Sequence, residues 1–156
     1  MRRPAAIVQH VALAAALTVG AVSVVSAVDA NYLPPEALAT ADGAAIYAHI
    51  CQGCHMPEAQ GAAGAGHYPK LSGDPKLVAW EYAAVTVLGG RNGMPGFGLP
   101  PNPGAAGPFG AVHLSDEQVA AVVNYVRGHF GNKYKPTVTA SQVAKLPHPG
   151  TEPGLD

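Results

Sequence analysis

Charge is scarce in this sequence. Only 12% of its 156 residues are Asp, Glu, Lys or Arg, roughly half the usual share. The formal net charge is −1, so the basic stripe of a nucleic-acid-binding surface is missing and no nucleic-acid partner is expected. Cysteine is scarcer: Cys51 and Cys54 are the two present, too few for a disulfide-dense scaffold. No stretch alternates apolar and polar residues with the period of a strand, and no internal repeat is found, so neither sheets nor solenoids are expected. What is abundant is Gly, with 19 residues, and Pro, with 15, in a chain that is 48% hydrophobic. That describes one loop-rich domain with a modest core.

Arg2 and Arg3 precede an almost uncharged stretch over residues 4–28, and small residues follow in Val25-Ser26-Ala27 and Val28-Asp29-Ala30. A positive start, an apolar run and a small-residue site make a secretory signal peptide. Residues 1–30 are therefore expected to be one, with cleavage after Ala27 or Ala30. The rival is an uncleaved anchor, because the run nears the ~20 residues of a membrane span. Ala and Gly dominate it, however, so insertion is weakly favoured. Membrane contact is expected only if residues 1–30 are retained. The remaining sequence lacks the rest of a twin-arginine signal. Cleavage would remove Arg2, Arg3 and Asp29, leaving a mildly acidic, exported, periplasmic-type chain.

Past the signal, residues 31–41 read as an extended leader, 42–131 as the folded domain and 132–156 as an extended tail with a short turn near 140–146. A first helix is predicted over residues 42–51, capped by Asp42 or Thr40, with Gly43, Tyr47 and Cys51 on one face. Asp74-Pro75 opens a second helix, whose apolar stripe is Val78, Tyr82 and Val85 and which ends at Gly89-Gly90. Residues 53–73 and 91–113 are crowded with glycine and should be loop. The third helix has the clearest start. Ser115 and Gln118 form a capping box, and Leu114 and Val119 stand at the staple positions. Val119, Val122, Val123, Val126 and Phe130 mark its buried face. Gly128 and Gly131 end it. The fold class is all-α: three main helices with long Gly/Pro-rich loops.

Cys51-Gln52-Gly53-Cys54-His55 carries the chemistry. It matches C-x-x-C-H, the attachment signature of c-type haem. Two thiols three positions apart can add to the two vinyl groups of one haem, and the adjacent His supplies a neutral imidazole nitrogen to iron. A macrocycle held covalently also supplies core to a chain that has little. The competing readings are weaker. A thioredoxin-like pair needs a βαβ context, a zinc site needs four spaced ligands, and a disulfide across two residues closes too short a loop to stabilise much. For the sixth ligand the best candidate is Met94, a thioether in the rigid Gly93-Met94-Pro95 loop, which makes a His/Met pair. A lone Met is often core filler, and His67 or His113 remain alternatives. Met56 should lie on the wrong side, and His49 shares the first helix.

Residues 40–131 resemble a class I monohaem c-type cytochrome, as in the cytochrome subunits of periplasmic dehydrogenases. The resemblance implies a cytochrome c-like fold around one covalently attached haem c. It assigns Gly43, Tyr47 and Cys51 to the first helix and contacts from the last helix to Val122 and Tyr125. In Tyr68-Pro69-Lys70-Leu71 it implies that the Pro69 carbonyl orients His55 and that Leu71 packs on the haem. Trp80 and Tyr82 would line its edge. Residues 96–112 depart from the compact family pattern as a longer excursion, and the tail runs past the usual end. The implied role is single-electron transfer between redox proteins, from a dehydrogenase or another donor to a downstream cytochrome or terminal oxidase, with no catalysis by the chain itself. The alternative is a haem enzyme or small-gas binder with a displaceable sixth ligand.

Overall fold

The computed structural model describes residues 33–64, 66–98 and 112–149. The expected signal segment, most of the 96–112 excursion and the end of the tail lie outside the described residues. After the short α1 (Pro35–Leu38), Asp42 opens the first predicted helix, its carboxylate accepting the Ala45 amide at 2.8 Å. The chain then runs from α2 (Gly43–Ile46) through a π turn (Tyr47–Cys51) into α3 (Gln52–His55). It therefore passes the expected end at Cys51. Gly53 does not stop it, since the Met56 amide still bonds to the Gln52 carbonyl at 2.8 Å. The stop comes at Met56, which turns left-handed at φ 68°.

The second helix is divided. Asp74 caps as predicted, accepting the Lys76 amide at 3.0 Å, but what it caps is a 3₁₀ turn (Pro75–Val78). Ala79 leaves helical geometry, and α4 (Trp80–Gly89) begins afresh. The predicted stripe also faces the wrong way. Val78, Tyr82 and Val85 are exposed, while Leu77, Ala84 and Leu88 are buried. This segment is apolar on several sides, so spacing alone did not distinguish the buried side from the wet one. Tyr82 instead lies under the Arg91 guanidinium, 5.5 Å from the ring centre.

The last long helix, α5 (Asp116–Gly128), follows its sequence closely. The Ser115 hydroxyl accepts the Gln118 amide at 3.3 Å, and the Gln118 carboxamide oxygen accepts the Ser115 amide at 2.8 Å. Val119, Val122, Val123 and Val126 are buried, and Phe130 is half-buried. Helix α5 crosses α2 backbone to backbone. A Cβ on Gly43 would run into the Ala121 carbonyl and the Tyr125 side chain, so only glycine permits that approach. At Gly43 the close approach is to Ala121 and Tyr125, and Val122 is buried in the core beside them. The rings of Tyr47 and Tyr125 stand 5.8 Å apart, and those of Tyr47 and Phe130 stand 4.7 Å apart, which locks the crossing.

The short turn expected near 140–146 in the tail is present as a brief helix. A second capping box, Thr139 with Gln142, starts α6 (Ala140–Val143), which packs on α5 and buries Val138 and Val143. Arg127 joins these parts. Its guanidinium, 1% exposed, donates to the carbonyls of Leu77 at 2.9 Å, Pro136 at 2.7 Å and Val78 at 3.4 Å. Two short strands, β1 (Ala62–Ala63) and β2 (His67–Tyr68), pair antiparallel within the first loop. Among the described residues no helix is long and apolar enough to cross a membrane.

Candidate functional site

Cys51 closes the π turn and Cys54 and His55 lie in α3, so one short run of helix delivers all three side chains. Both cysteines are free thiols. Burial, reinforced by Cys54 beside it, pushes the Cys51 thiol up to about 12, so it stands neutral. His55 is buried, and its Nδ1 lies 3.0 Å from the Pro69 carbonyl oxygen. That oxygen can only accept, so Nδ1 carries a proton, which in the neutral tautomer puts the lone pair on Nε2. The strand pair turns the intervening loop back on itself and returns Pro69 to the helix end. Gly61, at φ 67°, donates its amide to the His55 carbonyl at 3.1 Å. A side chain there would strike the Tyr68 carbonyl. The amides of Leu71 and Ser72 both bond to the Ala59 carbonyl, at 2.8 and 2.9 Å. Leu71 is half-buried against the core.

Met94 is held differently. It is half-buried at the end of a tight turn, in which the Arg91 amide bonds to the Met94 carbonyl at 3.0 Å and the Met94 amide returns to Arg91 at 2.9 Å. Asn92 and Gly93 between them both have positive φ, 49° and 89°, as a primed hairpin turn requires. Gly90, at φ 75°, lets the turn fold over the end of α4, where a Cβ would collide with the Met94 carbonyl. The segment beyond then caps that helix: the Phe97 amide reaches the Val87 carbonyl at 2.8 Å and the Gly98 amide the Leu88 carbonyl at 2.9 Å. These are carbonyls that α4 leaves without partners of its own.

The donor set fits a covalently attached haem. Two unpaired thiols one helical turn apart precede an imidazole whose carbonyl contact leaves Nε2 free to bind iron. Of the alternatives, His67 is exposed on β2 and His113 is half-buried next to α5. Two supporting hydrogen-bond arrangements were not foreseen from the sequence, although Tyr47 itself was placed on the face of the first helix. Tyr47 donates its hydroxyl to the Met56 carbonyl at 2.8 Å, and burial, then the adjacent Cys51, pushes that phenol up to about 12. Asn132, buried, gives its amide group to the carbonyls of Leu71 and Val126, both at 2.9 Å. An Asn just past a helix end reads as a turn residue, and no nearby residue signals the Leu71 bond.

The helical frame, the thiol pair and the carbonyl-held imidazole define a c-type haem-binding domain. A family model described as Cytochrome c matches residues 40–129. The chain is 34% identical over 108 residues to the alcohol dehydrogenase (quinone), cytochrome c subunit, of Gluconobacter oxydans, covering 67% of this chain and 21% of that one. It is 36% identical over 108 residues to the gluconate 2-dehydrogenase cytochrome c subunit of Pantoea cypripedii, covering 67% and 23%. Cytochrome c-552 of Thermus thermophilus is 38% identical over 121 residues, covering 70% and 77%. The chain belongs to the cytochrome c family, and its cofactor is covalently attached haem c. It spans only 21–25% of the quinone-dependent alcohol dehydrogenase subunits that it matches.

Proposed function

We propose that the protein is a monohaem electron carrier or electron-transfer subunit, itself without catalytic activity. The observation that carries this reading is the His55 ring, held by the Pro69 carbonyl directly after the two thiols. Cys51 and Cys54 would hold the haem through thioether bonds from the π turn and α3. His55 gives Nε2 to the iron, and the Pro69 contact fixes the tautomer and raises the basicity of the ring. Leu71 packs on the haem face. Met94 would supply a thioether to the iron, a donor that raises the reduction potential. Bound there, the haem iron supplies a one-electron couple.

The names of the relatives, cytochrome c subunits of alcohol and gluconate dehydrogenases, support a dehydrogenase in the exported compartment as electron donor. A downstream cytochrome or terminal oxidase would be the acceptor. Low overall charge favours a small docking patch over a strongly charged one, in keeping with transient redox encounters. Residues 1–30 act as the export signal, 31–41 as a leader, 42–131 as the haem domain and 132–156 as the tail. The test is an absorption spectrum of protein co-expressed with haem-maturation factors, with a pyridine haemochrome. A c-type haemochrome together with the weak far-red methionine-to-iron band is the expected result. A c-type haemochrome without that band would overturn Met94 as ligand and return His67, His113 and an open iron to consideration.

A further inference from the structure

The methionine segment meets a second side chain that the haem site does not use. The His113 Nδ1 lies 3.0 Å from the Gly98 carbonyl, four residues beyond Met94. Because that oxygen can only accept, Nδ1 carries the proton. The other ring nitrogen, Nε2, is buried without a partner among the described residues. The next residue continues the same junction: the Leu114 amide bonds to the Phe97 carbonyl at 2.7 Å, and Gly98 pairs with Leu114 as an isolated parallel bridge. Leu114 is buried and Ser115 caps α5. The bonds from His113 and Leu114 therefore tie the methionine segment to the rigid start of α5, while Val87 and Leu88 tie it to the end of α4.

We propose that His113 is a positioning residue for Met94: its Nδ1–H bond to Gly98 holds the segment that presents the thioether to the iron. An unsatisfied buried Nε2 is costly for a residue that only fills space, since an apolar side chain would fill it without that cost. The one bond that the ring makes is then the reason for a histidine there. The inference rests on Met94 being the sixth ligand.

The experiment compares wild type with His113→Phe and His113→Asn, all as purified ferric holoprotein. Phe keeps bulk and loses the donor; the Asn amide nitrogen stands close to the position of Nδ1 and restores it. Three readouts are taken: intensity of the methionine-to-iron band, affinity for added cyanide, which enters only when Met94 leaves, and amide hydrogen exchange at Gly98 and Leu114. In His113→Phe the band should weaken, cyanide should bind about tenfold more tightly, corresponding to one neutral hydrogen bond, and both amides should exchange faster. His113→Asn should lie near wild type. A His113→Phe protein with wild-type band and cyanide affinity overturns the proposal, even if its melting temperature falls. Loss of both properties in Asn and Phe alike also overturns it, since bulk or shape would then be the cause. If the wild type itself lacks the methionine band, the Met94 assignment fails first and this inference falls with it.

Discussion

The two sides of the proposed haem site are held by opposite strategies. On the histidine side the ring proposed to ligate is itself bonded, Nδ1 to the Pro69 carbonyl at 3.0 Å, and it sits on a helix. On the methionine side the thioether has no hydrogen-bond partner among the described residues, and everything that fixes it acts on backbone: the Arg91–Met94 turn and the caps on Val87 and Leu88. Each side needs one glycine at positive φ where a side chain would strike a carbonyl, Gly61 against Tyr68 and Gly90 against Met94. The difference lies in what one lost contact can do. Removing a contact to the His55 ring changes the ligand directly. Removing one beneath Met94 changes how often the segment is in place, which is a shift in population between loop states. In the proposed site the methionine side is thus the one expected to yield.

The largest break in that comparison comes from the histidine side. In a Cys51→Ala, Cys54→Ala double variant, both thioether bonds are gone, and acid–acetone extraction should remove all haem. Haem that stays with the polypeptide after extraction would refute the attachment. Met94→Ala comes next. The iron should then bind carbon monoxide, the far-red band should vanish and the reduction potential should fall, since a potential-raising ligand is lost. Covalent haem should be retained in full, because nothing on the histidine side depends on Met94. Spectra unchanged from wild type would remove Met94 from the site.

Arg127 probes what the two sides share. It bonds to the carbonyls of Leu77 and Val78, in the turn leading from the histidine-side loop into α4, and to Pro136 in the tail. Arg127→Met keeps the packing stem but leaves three carbonyls unpaired, one of the bonds being long. A loss of about 2–4 kcal/mol is expected, read as a lower urea midpoint at unchanged slope. A midpoint equal to that of wild type would mean that water satisfies those carbonyls at no cost.

How much of this the sequence disclosed depended on the span of each interaction. Ser115 and Gln118 sit three residues apart, so the α5 cap was readable without the fold. The five contiguous residues from Cys51 to His55 stated the cofactor chemistry outright. Asp74-Pro75 announced a helical start correctly, yet whether a 3₁₀ turn or an α-helix follows is decided by packing at Ala79. The buried side of α4 was misread because Val78, Tyr82 and Val85 form as good a stripe as Leu77, Ala84 and Leu88. The Pro69 role came from family resemblance, not from spacing. Gly98–His113, Arg127–Leu77 and Leu71–Asn132 join residues 15, 50 and 61 positions apart. Nothing near either partner in the chain encodes such a bond.

The smallest expected effect is a pH dependence confined to the methionine side. His148 Nε2 lies 2.8 Å from the Asp116 carboxylate, and Nδ1 lies 2.8 Å from the Leu146 carbonyl. Both nitrogens donate at once only in the imidazolium, so the bond to Asp116 first, and the Leu146 carbonyl with it, raise the His148 pKa above its usual value while partial burial opposes. A raised folded-state pKa stabilises the fold fully below the unfolded value, ~6.5, and that stability is lost as pH rises through the folded value. The pair is partly exposed, so its effect should be roughly 0.5 kcal/mol or less, or a melting-temperature difference of about 1–3 °C between about pH 6 and about pH 8. His148→Gln should flatten that difference; equal pH slopes in both proteins would dismiss the pair. The neighbouring Pro149 places the effect, because a Cβ on Gly98 would come within 2.9 Å of its Cδ. Breaking the His148 contact should therefore quicken amide exchange at Gly98 more than at Gly61, since Pro149, next to His148 in the chain, packs against Gly98.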